Sequence, residues 1–148
     1  MYVISACLCG VNCKYSGGNN FNEKIFEIFQ NGEGILICPE QIGGLPTPRI
    51  PCEIVGGKAE NVFEGNAEVI SKDGNQCTKE FIKGAKESLN IAKAVGAKKA
   101  ILKSNSPSCG SGSVYNGQFN GNLIKGDGVT AYLFKSNGIA VETEEEYK

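Results

Sequence analysis

Apolar residues run almost unbroken through YVISACL (residues 2–8) and stop at Gly10, the pattern of a buried strand. A second run, GILICPE (34–40), ends at Pro39. A third, KKAILKSN (98–105), leads into a loop of small residues, SPSCGSGSVYNG, and IAVET (139–143) makes a final strand. Between these runs the period becomes helical. Asn22 is placed to cap EKIFEIFQN, with Ile25, Phe26, Ile28 and Phe29 on an inner face and Gly32 as its stop. Thr78 is placed to cap the longest helix, KEFIKGAKESLNIAKAV, where Phe81, Ala85, Leu89 and Ala92 recur at helical spacing before Gly96. Residues 127–137 form a last helix behind Asp127, ended by Gly138. Two segments fit neither period. QIGGLPTPRIPCEIVGG (41–57) carries three prolines and four glycines and reads as an ordered loop or extended excursion. Residues 59–72 alternate weakly and read as a small hairpin. Strands alternating with helices predict one α/β domain over residues 1–148. Its sheet is mostly parallel with flanking helices, a Rossmann-like three-layer arrangement with a small hairpin excursion.

Length and composition narrow the function. The 148 residues suffice for a packed core without covalent staples, and 41% apolar with 21% charged residues is ordinary for a globular chain. A net charge of −1 offers no basic field for a nucleic-acid polymer, which leaves a single base or nucleoside as the nucleic-acid-like ligand. The N-terminus has no basic leader and no run is long enough for a membrane span, so a cytoplasmic location and reduced thiols are expected. Seven cysteines in such a setting point to metal or thiol chemistry rather than disulfides, although small buried hydrophobes are the plain alternative. No histidine is present, so no Cys-His or Ser-His pair can form, and proton transfer falls to carboxylate, Lys, Tyr, Cys or water. The pattern assigns no oligomeric state.

The chemistry should gather where loops leave the carboxyl ends of the parallel strands. The first strand delivers Cys7, the second Cys38 with Glu40 two residues on, and the third Asn105, Ser106, Ser108 and Cys109. Three thiols on three strand ends form a constellation that the local run CLCGVNC does not, so Cys7 is expected to function and Cys9 and Cys13 to stand by. Three thiolates suit a [4Fe–4S] cluster with one open iron. Zinc with three cysteines and water, or three unligated thiols, remain as alternatives. Arg49, the only arginine among 15 basic residues, sits between prolines. Either it is pre-organised for planar contact with a substrate or it ties down its own loop. Glu40 is either a proton-transfer group, its pKa raised by partial dehydration and an anionic neighbour, or an ordinary loop carboxylate. SPSCGSGS is rich in the small residues of an anion-cradling nest but lacks the P-loop signature.

Four blocks, SACLCGVNCKYSGG, CPEQIGGLPTPR, LKSNSPSCGSG and GDGVTAYLFKSNGI, resemble those of a bacterial and archaeal family of iron–sulfur-dependent thiouracil desulfidases, formerly a domain of unknown function. The resemblance spans nearly the whole chain. It implies a [4Fe–4S] cluster held by Cys7, Cys38 and Cys109, with an open iron that polarises the C–S bond of a thiolated base or nucleoside. It further implies water addition aided by Glu40, positioning by Ser106 and Ser108, substrate contacts from Arg49 and Asn105, and release of uracil and sulfide without redox change. The family pattern does not require a cysteine at position 13. Cys9, Cys13, Cys52 and Cys77 are extra thiols beyond the family pattern, and Cys9 or Cys13 either substitutes for Cys7 as a ligand or carries a transient sulfur. The readings that compete with a desulfidase are a non-catalytic cluster- or zinc-binding sensor of small ligands and a thiol-based sulfur-trafficking protein.

Overall fold

The computed structural model describes residues 1–148. Strands β1 (Tyr2–Ser5), β2 (Gly34–Ile37), β5 (Lys99–Leu102) and β8 (Ala140–Thr143) form a sheet in the order β2-β1-β5-β8. Every neighbouring pair in it is parallel. Alternation along these strands makes the two faces. Val3, Ala100 and Leu102 point into one apolar cluster with Leu89, Ala92 and Phe134, while Ile4 and Ile101 point into another with Leu8 and Ile25. The first cluster lies under helices α4 (Thr78–Ala94) and α5 (Val129–Ser136), the second under α1 (Glu23–Gln30). The three-layer α/β architecture is therefore the one the alternation of strands and helices predicted. No helix is long and apolar enough to cross a membrane.

Several boundaries differ from the sequence reading, each for a local reason. The first apolar run leaves the sheet at Ser5 and coils into a 3-10 turn, Ala6–Cys9, closed by Gly10 at φ 91. The second gives way at Cys38 to a one-turn helix α2 (Pro39–Ile42), because Pro39 suits a first helical position. The proline-rich excursion is not all loop. Strand β3 (Cys52–Val55) pairs antiparallel with β4 (Glu68–Ser71), and a short helix α3 (Ala59–Glu64) connects them. The hairpin expected over residues 59–72 is therefore not formed: its first half is helical, and its one strand pairs with β3 outside that range. A hairpin, β6 (Ser113–Tyr115) with β7 (Leu123–Lys125), runs where a loop was expected, since three-residue strands carry almost no periodic signal. Asn22 does cap α1, accepting from Ile25 N at 3.0 Å. Of that helix's proposed inner face, however, only Ile25 is fully buried, and Phe29 is 36% exposed. Cys77, not Thr78, occupies the N-cap of α4, and the Thr78 hydroxyl instead accepts from Val69 N. Asp127 does not cap α5. It accepts from Gly112 N at 2.8 Å and pairs with Lys135 at 2.9 Å.

Helix α2 is seated by glycines on both sides of a close crossing. A Cβ on Gly84, within α4, would lie 1.9 Å from the Pro39 carbonyl oxygen, and one on Gly43 would lie 1.9 Å from that of Glu80. Backbone therefore meets backbone, and the turn carrying Cys38 and Glu40 is fixed against the longest helix.

Candidate active site

The carboxyl ends of β1, β2 and β5 open into a cavity of about 470 Å³. The 3-10 turn after β1 brings Cys7 into its wall, the junction of β2 and α2 brings Cys38 and Glu40, and the loop after β5 brings Ser106 and Cys109. Ser5 braces two of these ends: its hydroxyl accepts from Lys103 N at 3.0 Å and donates to Cys109 Sγ at 3.4 Å. The Ser106 hydroxyl accepts from Ser108 N and Cys109 N, both at 3.1 Å, which closes the loop and aims the third thiol. All seven cysteines are free.

Cys13, expected to stand apart, lies in the same cavity wall. The Cys38 thiol donates to the Cys13 carbonyl at 3.8 Å, and the neighbouring Cys38 and Cys7 thiols, with burial, push the Cys13 pKa up. Cys13 in turn holds Cys7 below the ordinary thiol range against the opposing effect of burial. Cys38 is lowered to about 7, by Cys13 first, with burial opposing and the Gln41 N–H assisting. Burial pushes the Cys109 thiol up, with the Ser5 hydroxyl pulling it back. Of the remaining thiols, Cys52 at the start of β3 also reaches the cavity, whereas Cys9 and Cys77 do not line it. Cys9 packs in the apolar cluster under α1, and burial raises its pKa to about 11.

Arg49 and Glu40 form a half-buried pair, Nε to Oε1 at 3.1 Å. Burial raises the Glu40 pKa and Arg49 opposes the rise. The guanidinium also donates to Thr47 Oγ1 at 2.9 Å, to the Pro46 carbonyl at 3.2 Å and to the Cys13 carbonyl at 2.9 Å. With its side chain 6% exposed and four bonds made within the protein, Arg49 ties the proline-rich loop and the Cys13 loop to Glu40. Arg49 also lines the cavity, and the bonds it makes within the protein favour the anchoring alternative of the two the sequence left open. Ser108 also departs from expectation. It is 1% exposed and its hydroxyl is paired with Thr130 Oγ1 at 2.8 Å, away from the cavity lining. Asn105 is outside that lining too. Its backbone, at φ 66, forms a bridge to Val114 that starts the β6–β7 hairpin.

Residues that the sequence reading missed complete the site. Lys103, held by Glu144 at 3.1 Å, adds a cation to the wall, and Tyr115 and Phe119 add aromatic surface. Lys103 sits at the end of a parallel strand, so the rule that found the cysteines could have found it. The aromatics could not be found that way, because they arrive on a hairpin with no periodic signature.

The model of the 2-thiouracil desulfurase family matches residues 2–146. The chain belongs to that family. Among relatives of this desulfurase, the Bacillus subtilis (strain 168) protein YbbK, described as uncharacterized, is 44% identical over 146 residues, covering 99% of this chain and 97% of its own. A solved structure described as the [4Fe–4S]-dependent thiouracil desulfidase TudS (DUF523Vcz) is 37% identical and superposes with a TM-score of 0.86. The match covers 98% of this chain and 91% of that one.

The donor set can be tested against an iron–sulfur group directly. No three Cys, Asp or Glu side chains converge closely enough to hold a single metal ion. Cys7, Cys38 and Cys109 line one cavity wall from three strand ends, and thiols are the donors an iron–sulfur cluster takes. Free, unbridged thiols, two of them with lowered pKa values, supply the thiolate chemistry such a cluster takes. The residues present therefore fit the group.

Proposed function

We propose that this desulfurase-family chain removes sulfur from a thiolated nucleobase such as 2- or 4-thiouracil, using a [4Fe–4S] cluster held by Cys7, Cys38 and Cys109. One observation carries the reading: three thiols on three adjacent strand ends line one cavity that also contains a half-buried carboxylate, Glu40. When bound, the cluster supplies a Lewis-acidic iron without a protein ligand, able to polarise a C–S bond. The overall reaction is hydrolytic: C=S and water give C=O and hydrogen sulfide, with no electron gained or lost.

The protein's own part is positioning and proton transfer. Glu40 keeps Oε1 on Arg49 and has Oε2 to accept a proton from the attacking water. Its buried setting makes it a stronger base than an exposed glutamate. Ser106 Oγ accepts two backbone N–H bonds, which leaves its own proton to donate to the water or to a ring oxygen. Lys103 balances negative charge in the cavity. Neither Ser108 nor Asn105 has a part in the step, and Arg49 acts through Glu40.

The test is sulfide release from 2-thiouracil by anaerobically prepared protein. Expected are stoichiometric uracil and sulfide, turnover abolished by Cys7→Ser, Cys38→Ser or Cys109→Ser, and loss of at least about 100-fold in Glu40→Gln, the usual scale of general-base catalysis. Uracil production that survives removal of iron would overturn the reading in favour of thiol chemistry.

A further inference from the structure

The loop joining β6 to β7, residues 116–122, carries a bulky aromatic in a backbone conformation suited to glycine. Phe119 has φ 54, and only one other non-glycine residue, Asn105, shares the left-handed region. A hairpin loop does not require this. Asn120 and Gly121 follow immediately, and asparagine or glycine adopts positive φ with far less strain. Keeping a phenylalanine there has to be offset by fixed contacts, and they are present. Glu53 on β3, 7% exposed, points one carboxylate oxygen at the loop and accepts from Gly117 N at 2.8 Å and Phe119 N at 3.2 Å. Gly117 presses so close to β3 that a Cβ would lie 2.5 Å from the Ile54 carbonyl oxygen. Asn116 Oδ1 accepts from Gln118 N at 3.0 Å and completes the clamp.

The result of all this fixing is a side chain that packs in no apolar cluster of the core and pairs with no other aromatic ring. It is half-buried and lines the cavity that Cys7, Cys38 and Cys109 line. Strain held in place at a cavity wall points to a use for the side chain there.

We propose that Phe119 is the specificity-determining wall of the pocket, stacking against the face of a flat, aromatic thiolated ring and selecting it over cyclic thioureas and thioamides whose saturated rings are puckered. The inference rests on the desulfidase reading and deepens it by naming the chemical class the site prefers. Base-on-aromatic stacking is indifferent to ring substituents and sensitive to planarity, so the pocket accepts several thiolated pyrimidines while disfavouring saturated ones.

The experiment compares uracil with 5,6-dihydrouracil as ligands of the anaerobic holoenzyme by calorimetry, and 2-thiouracil with its 5,6-dihydro analogue as substrates. The two rings share the same hydrogen-bonding edge and differ in flatness. Phe119→Leu keeps apolar bulk without a π face, Phe119→Tyr keeps the face, and Phe119→Gly suits the backbone and secures a folded control. Expected is about tenfold weaker uracil binding in the Leu and Gly variants, with KM for 2-thiouracil raised to match and kcat changed less than about threefold. The dihydro compounds should change less than about twofold, and the Tyr variant should restore wild-type discrimination. Equal weakening of both rings in Phe119→Leu, or a wild type that does not tell them apart, overturns the proposal. Selective uracil binding without any turnover leaves the stacking wall standing and removes the desulfidase reading. No binding of either ring removes both.

Discussion

A single side chain can be read two ways from sequence, and its hydrogen-bond partners decide between them. Arg49 between prolines fits a substrate clamp or a loop anchor equally well, and its bonds to Cys13, Pro46, Thr47 and Glu40 favour the anchor. Arg49→Lys should therefore lower stability rather than substrate affinity. A lysine cannot reproduce the fork, and the lost bonds in this half-buried site cost about 1–2 kcal/mol. Chemical denaturation should show the drop, and a raised KM at unchanged stability would restore the substrate-binding role. The two serines of the third loop separate in the same manner. Ser108→Ala loses one buried hydrogen bond and about 1 kcal/mol of stability but keeps its turnover, whereas Ser106→Ala lowers kcat. Equal kcat losses in both variants would contradict that division. Cys7, Cys38, Cys109 and Glu40 were legible because their position needs only chain order and the rule that strand ends converge. Cys13 was not, because its approach to Cys7 and Cys38 depends on the turn closed by Gly10 and on Arg49 holding its carbonyl from 36 residues away.

Helix α2 is too short to hold itself in place, so the orientation of Cys38 and Glu40 is inherited from α4 through the glycine crossing. This gives a prediction with an informative sign. In a free helix, Gly84→Ala would stabilise by about 1 kcal/mol. Here the added methyl meets a backbone carbonyl that has no flexible end to give way, and a loss of about 1–3 kcal/mol is expected from overpacking. Thermal unfolding reads the sign, and activity should fall with it as α2 is pushed out. A stabilised, fully active variant would show that the crossing has no such role. The major strands and long helices were legible because buried parallel strands read as unbroken apolar runs and α4 as a clear 3.6-residue period. The pair β3–β4 and the hairpin β6–β7 were hidden by short strands among prolines, glycines and asparagines, where turn chemistry dominates the pattern.

Across the whole molecule, distant segments converge on one sheet edge. The C-terminal turn takes part: Glu144 accepts from Ser104 N and Ser104 Oγ, both at 2.7 Å, and pairs with Lys103 beside the cavity. Burial pushes its carboxyl up, but the Ser104 bonds and the Lys103 charge outweigh this and hold it below the ordinary carboxylate range. A carboxyl depressed by folding stabilises the protein above its unfolded pKa, and the benefit is lost as pH falls through the lower folded value. Urea unfolding of wild type should weaken more steeply than that of Glu144→Gln as pH drops below about 4.5. Near neutrality wild type should be ahead by about 1 kcal/mol. Parallel pH profiles would contradict the linkage.

On the proposed function, three thiols from three strand ends jointly hold one iron–sulfur cluster. Iron and acid-labile sulfide per chain, measured on anaerobically purified protein, test it most directly. About four of each are predicted in wild type, with loss of both in Cys7→Ser, Cys38→Ser and Cys109→Ser and retention in Cys9→Ser. A colourless protein with one zinc per chain, or a full complement of iron in all three ligand variants, would contradict it.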